Sequence, residues 1–283
     1  NQVFVRTHQN KFSQALNFNF NQWQNESGFK KFASHFYNQT SFLIDRKIKR
    51  NGANFDLNPF SKEEEELIGL NTNFRNSLFF NRGKQHHSTT YSFLLNENQN
   101  LLSVGSVAAK NQSHQLQYQH LVKKSWLFNL SGSTTSTEST SENYPNRNFE
   151  IDGYQIEPKI GYLFSKNASW DIFYEFQQKE NQIGAFETLK QTRLGTSFTF
   201  NSEKGFSMNG EFSMYNNSYD GNALSAVGFQ MLEGLQPGKN QTWRLLLQKN
   251  LTQYLDVNIN YQGRNSETSK TIHTGNIQLR AFF

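Results

Sequence analysis

The sequence predicts an all-β fold: a single up-and-down antiparallel transmembrane β-barrel of about 14 strands. Three observations favour it. Apolar and polar residues alternate along most of the chain, many alternating segments exceed ten residues, and aromatic residues gather at one end of these segments. Strands in soluble proteins average about 5–6 residues. Twelve residues at about 3.3 Å each, tilted by about 40°, rise about 30 Å, enough for the apolar belt of an outer-membrane barrel.

Composition excludes a disordered chain and a helical membrane protein. Hydrophobic residues make up 35% and charged residues 18%, and the chain is rich in Asn, Gln, Ser and Thr. Aromatic residues nevertheless reach 15%, with 27 Phe, whereas disordered chains have few aromatics. No run approaches the roughly 18 apolar residues that a spanning helix needs. A β-protein with one apolar and one polar face remains.

Cysteine is absent from the 283 residues, which excludes disulfides, zinc–thiolate sites and Cys nucleophiles. The net charge is +5, but the basic residues are scattered and no nucleic-acid motif accompanies them, so we expect no nucleic-acid partner. The first residues lack the charged and apolar regions of a signal peptide, so we expect a mature chain or part of a longer one. We predict a single domain over 1–283, with no cofactor and no metal.

Alternation also sets the strands. In the last one, Ile277 and Leu279 fall on one face, and Gln278 and Arg280 fall on the other. The same pattern predicts strands at 3–8, 11–23, 29–46, 66–81, 86–98, 112–122, 125–134, 150–164, 169–180, 187–201, 205–217, 239–250, 253–264 and 269–283.

The connections between these segments alternate between short and long. The short ones are 24–28, 82–85, 123–124, 165–168, 202–204 and 251–252, and the longer ones are 47–65, 99–111, 135–149, 181–186, 218–238 and 265–268. Short periplasmic turns opposite longer external loops are typical of transmembrane barrels. The C-terminus then lies at the short-turn end, and an even strand count places the N-terminus there too. A further strand within 223–238 would break the alternation, so we predict an ordered external loop there.

Aromatic side chains cluster near the short-turn end. Amphipathic rings prefer the level of the lipid headgroups, and barrels carry aromatic girdles there. A soluble sandwich has no reason to sort aromatics by depth. The candidate girdle comprises Trp23, Phe32, Phe80, Trp126, Phe164, Trp170, Phe200, Phe206 and Tyr254, with Phe79 and Phe283 at the same level.

The chain ends on Phe282-Phe283 after an alternating strand. This ending resembles the C-terminal strand by which the barrel assembly machinery recognises outer-membrane substrates; the alternative is a buried last strand of a soluble domain. Together with Glu233–Trp243, the segment Gly275–Phe283 resembles the C-terminal barrel region of uncharacterised outer-membrane proteins of Bacteroidota (flavobacterial type), which are Gram-negative. The resemblance implies an outer-membrane location and an upstream periplasmic part, because such proteins are often longer. It implies no activity.

In a barrel, the polar face of each strand lines the lumen. The candidate lumen-facing charges are Glu157, Lys159, Asp171, Glu175, Arg193, Glu211, Arg244, Asp256 and Arg280. We expect Asp256 to lie between Arg244 and Arg280 on consecutive strands near the short-turn end. Rings of charge set ion selectivity; the alternative is a cross-strand ladder of opposite charges that holds the wall. Mixed signs on a face rich in Asn, Gln and Ser predict weak selectivity.

The first long connection carries two opposite runs of charge. Arg46–Arg50 is basic, and Glu63–Glu66 is acidic. Basic clusters bind lipid phosphates, here those of lipopolysaccharide; the alternative is a solvated loop in which the two runs pair. Calcium binding by the carboxylates is a further alternative, although no EF-hand-like ligand spacing is present.

Enzyme motifs are missing from the sequence, which has no Gly-x-Ser-x-Gly elbow, His-Glu-x-x-His pair or P-loop. We therefore expect no enzyme. Two functions stay open: a porin-like passive pore for small polar solutes, and a non-conducting membrane anchor or structural subunit of a larger outer-membrane surface or secretion complex. Expected partners are outer-membrane lipid and lipopolysaccharide, the barrel assembly machinery during biogenesis, and other outer-membrane or periplasmic subunits.

Overall fold

A computed structural model gives the fold and describes residues 6–49, 58, 60, 67–83, 86–102, 105–203, 205–252 and 254–281. Thirteen strands follow one another along these residues. They are β1 Thr7–Asn19, β2 Phe36–Lys49, β3 Leu67–Phe80, β4 His87–Leu102, β5 Gly105–Val122, β6 Trp126–Ser141, β7 Phe149–Ser165, β8 Ala168–Asn181, β9 Thr188–Ser202, β10 Phe206–Asp220, β11 Gly238–Thr252, β12 Leu255–Ser266 and β13 Ile272–Ala281. Two short helices, α1 (Gly28–Ala33) and α2 (Ala226–Leu232), and two 3-10 turns, Asn21–Trp23 and Pro145–Arg147, lie in the connections.

The strands form one antiparallel sheet in chain order, in which each strand pairs with the next. The predicted all-β, up-and-down antiparallel fold is confirmed, with 13 strands in place of about 14. The strands have 10 to 18 residues, as the long alternating segments predicted. β1 and β13 are the first and last strands of the sheet within the described part of the chain.

The N-terminal strands differ from the prediction. The expected pair 3–8 and 11–23 is replaced by the single strand β1, which pairs with β2 without interruption; residues 1–5 lie outside the described part. The stretch 8–11 is polar on both faces. A backbone ladder does not depend on side-chain polarity, however, and the pairing continues through it.

β2 begins at Phe36 rather than at residue 29, because α1 occupies the preceding segment. Phe29 and Phe32 are three residues apart, which is a helical spacing and not a strand spacing. The φ of Gly28 is +62°, a conformation that glycine adopts without steric cost. The predicted short turn 24–28 is therefore wrong: the connection from β1 to β2 is long and partly helical.

Two predicted long loops are also wrong, because the strands beside them continue further. β4 ends at Leu102 and β5 begins at Gly105, so most of 99–111 is strand. The loop expected at 135–149 shrinks to 142–148. The segment 135–149 is polar on both faces, and 99–111 has apolar pairs at consecutive positions, Leu101-Leu102 and Ala108-Ala109, so the alternation that reveals a strand is lost in both. The alternation of short and long connections is thus only partly confirmed.

The connections define two ends of the sheet. The short-turn end is the end at which β1, β3, β5, β7, β9 and β11 finish, and the long-loop end is the end at which β2, β4, β6, β8, β10 and β12 finish. β13 runs toward the short-turn end, which confirms the predicted position of the C-terminal end. Because the strand count is odd, β1 starts at the long-loop end, opposite to the position that an even count required.

Each strand has an inner and an outer face, since residues directly opposite each other across a ladder share a face. The inner face is the one on which α2 packs. Its contact with the sheet forms the buried apolar cluster of Ile151, Leu189, Val227, Met231 and Leu232 at the long-loop end. This cluster fixes the connection 221–237 on the inner face, and the prediction that 223–238 adds no strand is confirmed.

Candidate functional site: an apolar outer face and a polar inner wall

The outer face carries a continuous apolar surface. Its exposed large apolar residues include Phe12, Leu16, Phe18, Leu78, Tyr91, Leu116, Tyr118, Trp126, Phe128, Leu130, Tyr154, Ile156, Ile160, Phe164, Trp170, Ile172, Tyr174, Leu194, Phe212, Met214, Tyr261, Ile277 and Leu279. Ile277 is 69% exposed, whereas Ser213 on the inner face is 0% exposed. In water the hydrophobic effect favours the opposite arrangement. An arrangement with apolar side chains outside and polar side chains inside is typical of a sheet whose outer face contacts lipid.

The height of this apolar band is set by the strands that cross it. On β7 the band extends from Tyr154 to Phe164, and both residues are exposed. Ten residue steps at about 3.3 Å, tilted by about 40°, rise about 25 Å, which matches the apolar band of outer-membrane barrels. The next outer-face residues toward the long-loop end are Asp152 and Glu150. The strands therefore project beyond the band at that end.

The lower border of the band is aromatic. Of the predicted girdle, Phe80, Trp126, Phe164, Trp170, Phe200 and Phe206 lie on the outer face at the short-turn end, and Trp23, Phe32 and Tyr254 lie in the adjoining connections. Neighbouring rings touch: the centroids of Trp126 and Tyr162 are 4.9 Å apart. Phe79 lies near the short-turn end as predicted, but on the inner face, where the Arg82 guanidinium group is 5.0 Å from the centroid of its ring. Phe282 and Phe283 lie outside the described residues.

A second aromatic row, which the sequence did not reveal, crosses the outer face closer to the long-loop end. Phe12, Phe42, Phe74, Phe93 and His114 come from the five consecutive strands β1 to β5. Their successive ring centroids are 6.1, 6.4, 5.8 and 4.8 Å apart. Each ring lies in mid-strand, so its height depends on the register between strands. Aromatic rows on the lipid-facing side are typical of a membrane-spanning sheet.

Two tyrosines on the outer face have their hydroxyl groups satisfied by histidines. Tyr91 is hydrogen-bonded to Nδ1 of His114 at 2.8 Å, and Tyr261 to Nδ1 of His273 at 2.9 Å. A tyrosine with an apolar ring and a hydrogen-bonded hydroxyl suits the boundary between lipid and water.

The inner wall contains all nine predicted charges. The register places Glu157, Lys159, Asp171, Glu175, Arg193, Glu211, Arg244, Asp256 and Arg280 on one face, opposite to the apolar band. Amide and hydroxyl side chains surround them. One row across β4 to β7 consists of Thr90, Gln117, Ser131 and Glu157. The wall is therefore polar, and its charges have both signs.

Arg193 is the centre of the most connected charge cluster. Its Nη1 lies 3.4 Å from Glu175 Oε2, and its Nη2 pairs with Glu211 on the other side. Its guanidinium group also lies 4.6 Å from the centroid of Phe173 and 5.3 Å from that of Tyr215. These contacts join β8, β9 and β10. For Arg193 the geometry favours the cross-strand ladder over a free selectivity charge.

The predicted trio of Arg244, Asp256 and Arg280 is only half correct. Asp256 is directly opposite Arg280. Arg244 is level with Gln262, six residues further along β12, which corresponds to about 20 Å along the strand. Arg244 instead faces Glu211 and is exposed. The sequence analysis assigned Arg244 to the correct face. It did not place Arg244 at the correct level along the strands, because that level depends on the register between them.

The connection 221–237 packs over the inner wall at the long-loop end. Ser225 begins α2 by accepting a hydrogen bond from the Gly228 N–H at 2.9 Å. Met231 and Leu232 are 0% and 1% exposed, and they pack with Leu189 in the apolar cluster. A Cβ on Gly228 would lie 2.3 Å from the carbonyl oxygen of Asn222, so α2 fits this position only because residue 228 has no side chain.

Polar contacts tie the same loop to strands on either side. Lys179 on β8 donates to the carbonyl oxygen of Met231 at 3.1 Å and forms an ion pair with Glu233. Arg264 on β12 donates to the carbonyl oxygen of Gly234 at 3.1 Å. The loop thus reaches across the inner face from β8 to β12 and narrows the space inside that end of the sheet.

The basic run 46–50 does not form one surface. Arg46 lies on the outer face and is 2% exposed, with Nη1 3.4 Å from the carbonyl oxygen of Asn58. Lys47 and Lys49 lie on the inner face. Residue 50 and the acidic run 63–66 are outside the described part of the chain, so the lipopolysaccharide and calcium readings stay predictions.

The described ranges contain two short α-helices and two 3-10 turns. None of their helices is long and apolar enough to cross a membrane. Among the same residues no group of three or more His, Asp or Glu side chains is placed to hold a metal ion.

No protein-family model matches the chain, and no curated protein matches it. Solved structures give remote likenesses. CdiB from Acinetobacter baumannii is 10% identical, with a TM-score of 0.48; the match covers 100% of this chain but 55% of CdiB, so the chain spans about half of that protein. The translocator domain of the autotransporter NalP from Neisseria meningitidis (8% identity, 100% of this chain and 90% of that one, TM-score 0.32) and the transport unit of the autotransporter AIDA-I from Escherichia coli (9%, 99% and 89%, 0.32) are similar to the chain as well.

Proposed function

We propose that this chain is the membrane-spanning part of a bacterial outer-membrane β-barrel and that its inner wall lines a passage for small polar solutes. The observation that carries the proposal is the inversion of the sheet. An apolar band, about 25 Å high on β7, faces outward and carries two aromatic rows, and a polar wall faces inward. The proposal needs no enzyme activity and no cofactor.

The chemistry of the wall determines what would pass. Amide and hydroxyl groups exchange hydrogen bonds with water and with small polar solutes at little cost. The charged residues have mixed signs, and the most central of them, Arg193, is already paired with Glu175 and Glu211. We therefore propose a weakly selective passage, narrowed at the long-loop end by the connection 221–237.

Single-channel recording tests this function. The detergent-purified chain is inserted into a planar bilayer, after circular dichroism has established a folded β-sheet. We expect reproducible current steps with weak ion selectivity. Silence from folded, inserted protein would refute the passage. A chain that stays in solution without detergent would refute the membrane location itself.

A second candidate function is a non-conducting anchor or subunit of a larger surface or secretion complex. Apolar side chains exposed in the long loops, outside the band, favour it: Leu224 is 92%, Phe229 69% and Phe186 66% exposed. A silent barrel that copurifies with a protein partner at fixed stoichiometry would support this second function.

We propose that lipopolysaccharide surrounds the band and that the barrel assembly machinery inserts the chain in either case.

A further inference from the structure

The two end strands of the sheet have open edges within the described residues. There, β1 pairs only with β2, and β13 pairs only with β12. All ten residues of β13 are exposed, on the inner face as well as on the outer face. An open edge leaves backbone N–H and C=O groups without partners, and lipid cannot replace these hydrogen bonds. An edge that crosses the apolar band therefore needs another strand beside it.

The strand count determines the direction of that strand. With 13 strands, β1 and β13 both run from the long-loop end to the short-turn end. Direct pairing of β1 with β13 would be parallel, in a sheet whose other ladders are all antiparallel, and parallel pairing is slightly less stable. A strand of opposite direction pairs antiparallel with both edges at once. It also gives an even count, as in single-chain bacterial barrels.

A second copy of this chain does not supply such a strand. In the same membrane orientation, its free edges are again β1 and β13, with the same direction. Every pairing between the edges of two copies is then parallel. The strand of opposite direction must come from a different segment.

We propose that a strand of the same polypeptide, on the N-terminal side of β1, fills the gap between β1 and β13. It would run toward the long-loop end and finish beside Thr7, so one more hairpin would join it to β1, as hairpins join the other neighbours. Phe12 and Leu16 on one edge, and Ile277 and Leu279 on the other, continue the apolar band up to the gap. The inserted strand therefore alternates apolar residues toward lipid with polar residues toward the wall.

This inference rests on the proposed function, because only a membrane deprives the edges of water. Fractionation separates the two ideas. Absence of the full-length protein from the outer membrane would refute the proposed function. For a protein that is in the outer membrane, the experiments below test the inserted strand alone.

Cysteine pairs measure the gap, because the sequence has no cysteine of its own. A disulfide needs Cα atoms about 4.4–6.8 Å apart, whereas two strands separated by a third lie about 9.6 Å apart. In the full-length protein in its membrane, we expect Asn17→Cys combined with Asn276→Cys or Gln278→Cys to form no disulfide. A bis-maleimide that spans two strand spacings should join them. The matched control is Asn17→Cys with Gln39→Cys, directly opposite on β1 and β2, which should oxidise readily.

Each other outcome overturns the proposal. A disulfide between β1 and β13 within one chain would mean direct closure, and one between two chains would mean pairing with a second copy. If neither reagent joins the edges while the control disulfide forms, the gap is wider than one strand.

A photo-crosslinking amino acid in place of Leu16 identifies the neighbour of β1. We expect crosslinked peptides from β2 and from the polypeptide upstream of β1. The β2 peptides show that the variant has folded. With those peptides present, a second partner from another protein, or from β13, would refute the proposed source of the strand.

Discussion

Replacing Met231 by alanine is expected to release the connection 221–237 from the inner wall. Met231 is 0% exposed and packs with Leu189 and Leu232. Truncation of a buried Met to Ala costs about 2–5 kcal/mol. A loss of about 3 kcal/mol lowers the ratio of docked to undocked loop roughly 150-fold, since about 1.4 kcal/mol corresponds to a factor of ten. The remaining contacts of the connection, which include the hydrogen bonds from Lys179, Arg264 and Asn217 to its backbone carbonyl groups, then have to hold it.

The assay is amide hydrogen exchange of residues 221–237, together with single-channel conductance. We expect faster exchange in α2 and larger or less frequently interrupted current steps in Met231→Ala. Phe229→Ala is the matched control, because Phe229 belongs to the same helix but is 69% exposed; it should change neither quantity. If both variants behave like the wild type, the apolar cluster does not hold the loop. If exchange rises in Met231→Ala without a change in conductance, the loop does not narrow a passage.

Three further predictions concern the loop, the band and one phenol. Gly228→Ala should speed exchange in α2, although Ala favours an exposed helix over Gly by about 1 kcal/mol, because its Cβ would meet the carbonyl oxygen of Asn222 at 2.3 Å; slower exchange would contradict this. Ile160→Arg, in the middle of the band, should lower the free energy of unfolding from liposomes by about 2–4 kcal/mol, whereas Asp152→Arg, beyond the band, should change it little; equal losses would refute the assigned membrane level. Burial raises the pKa of Tyr219, outside the band, and nearby Glu187 adds to the shift. The folded state thus favours the neutral phenol, so stability falls as the pH rises above about 10; a difference titration of wild type against Tyr219→Phe should show this late-ionising phenol, and an ordinary ionisation would disprove it.

Period-2 alternation was sufficient to assign faces. It placed all nine wall charges on one face, because the side of a strand on which a residue lies is a local property of the backbone. It could not place Arg244 relative to Asp256, and it missed the row that includes Phe74 and Phe93. The heights of these residues depend on the register of every hairpin before them, and register is a property of paired strands.

The errors in element boundaries have two physical causes. Around 99–111 consecutive apolar residues, and within 135–149 polar residues on both faces, hide the alternation of the strand ends. In α1, the spacing of Phe29 and Phe32 suits a helix, but α1 has only six residues, too few to establish a helical period at the start of the strand predicted over 29–46.

The buried apolar cluster around Met231 and the exposed apolar band on the outer face contribute to the fold in different ways. In a soluble protein a buried core holds the sheet together. Here the buried cluster around Met231 lies at one end and holds one loop, while most large apolar side chains point outward. The twelve ladders of the sheet supply its internal bonding, and the surrounding lipid takes the place of the core. Within such an arrangement the interior is free of the demand for apolar packing, which explains why a polar wall braced by Arg193 is compatible with a stable fold. The same logic identifies the edges at β1 and β13 as the weakest part of the sheet, because apolar surroundings stabilise side chains there and leave the backbone unsatisfied.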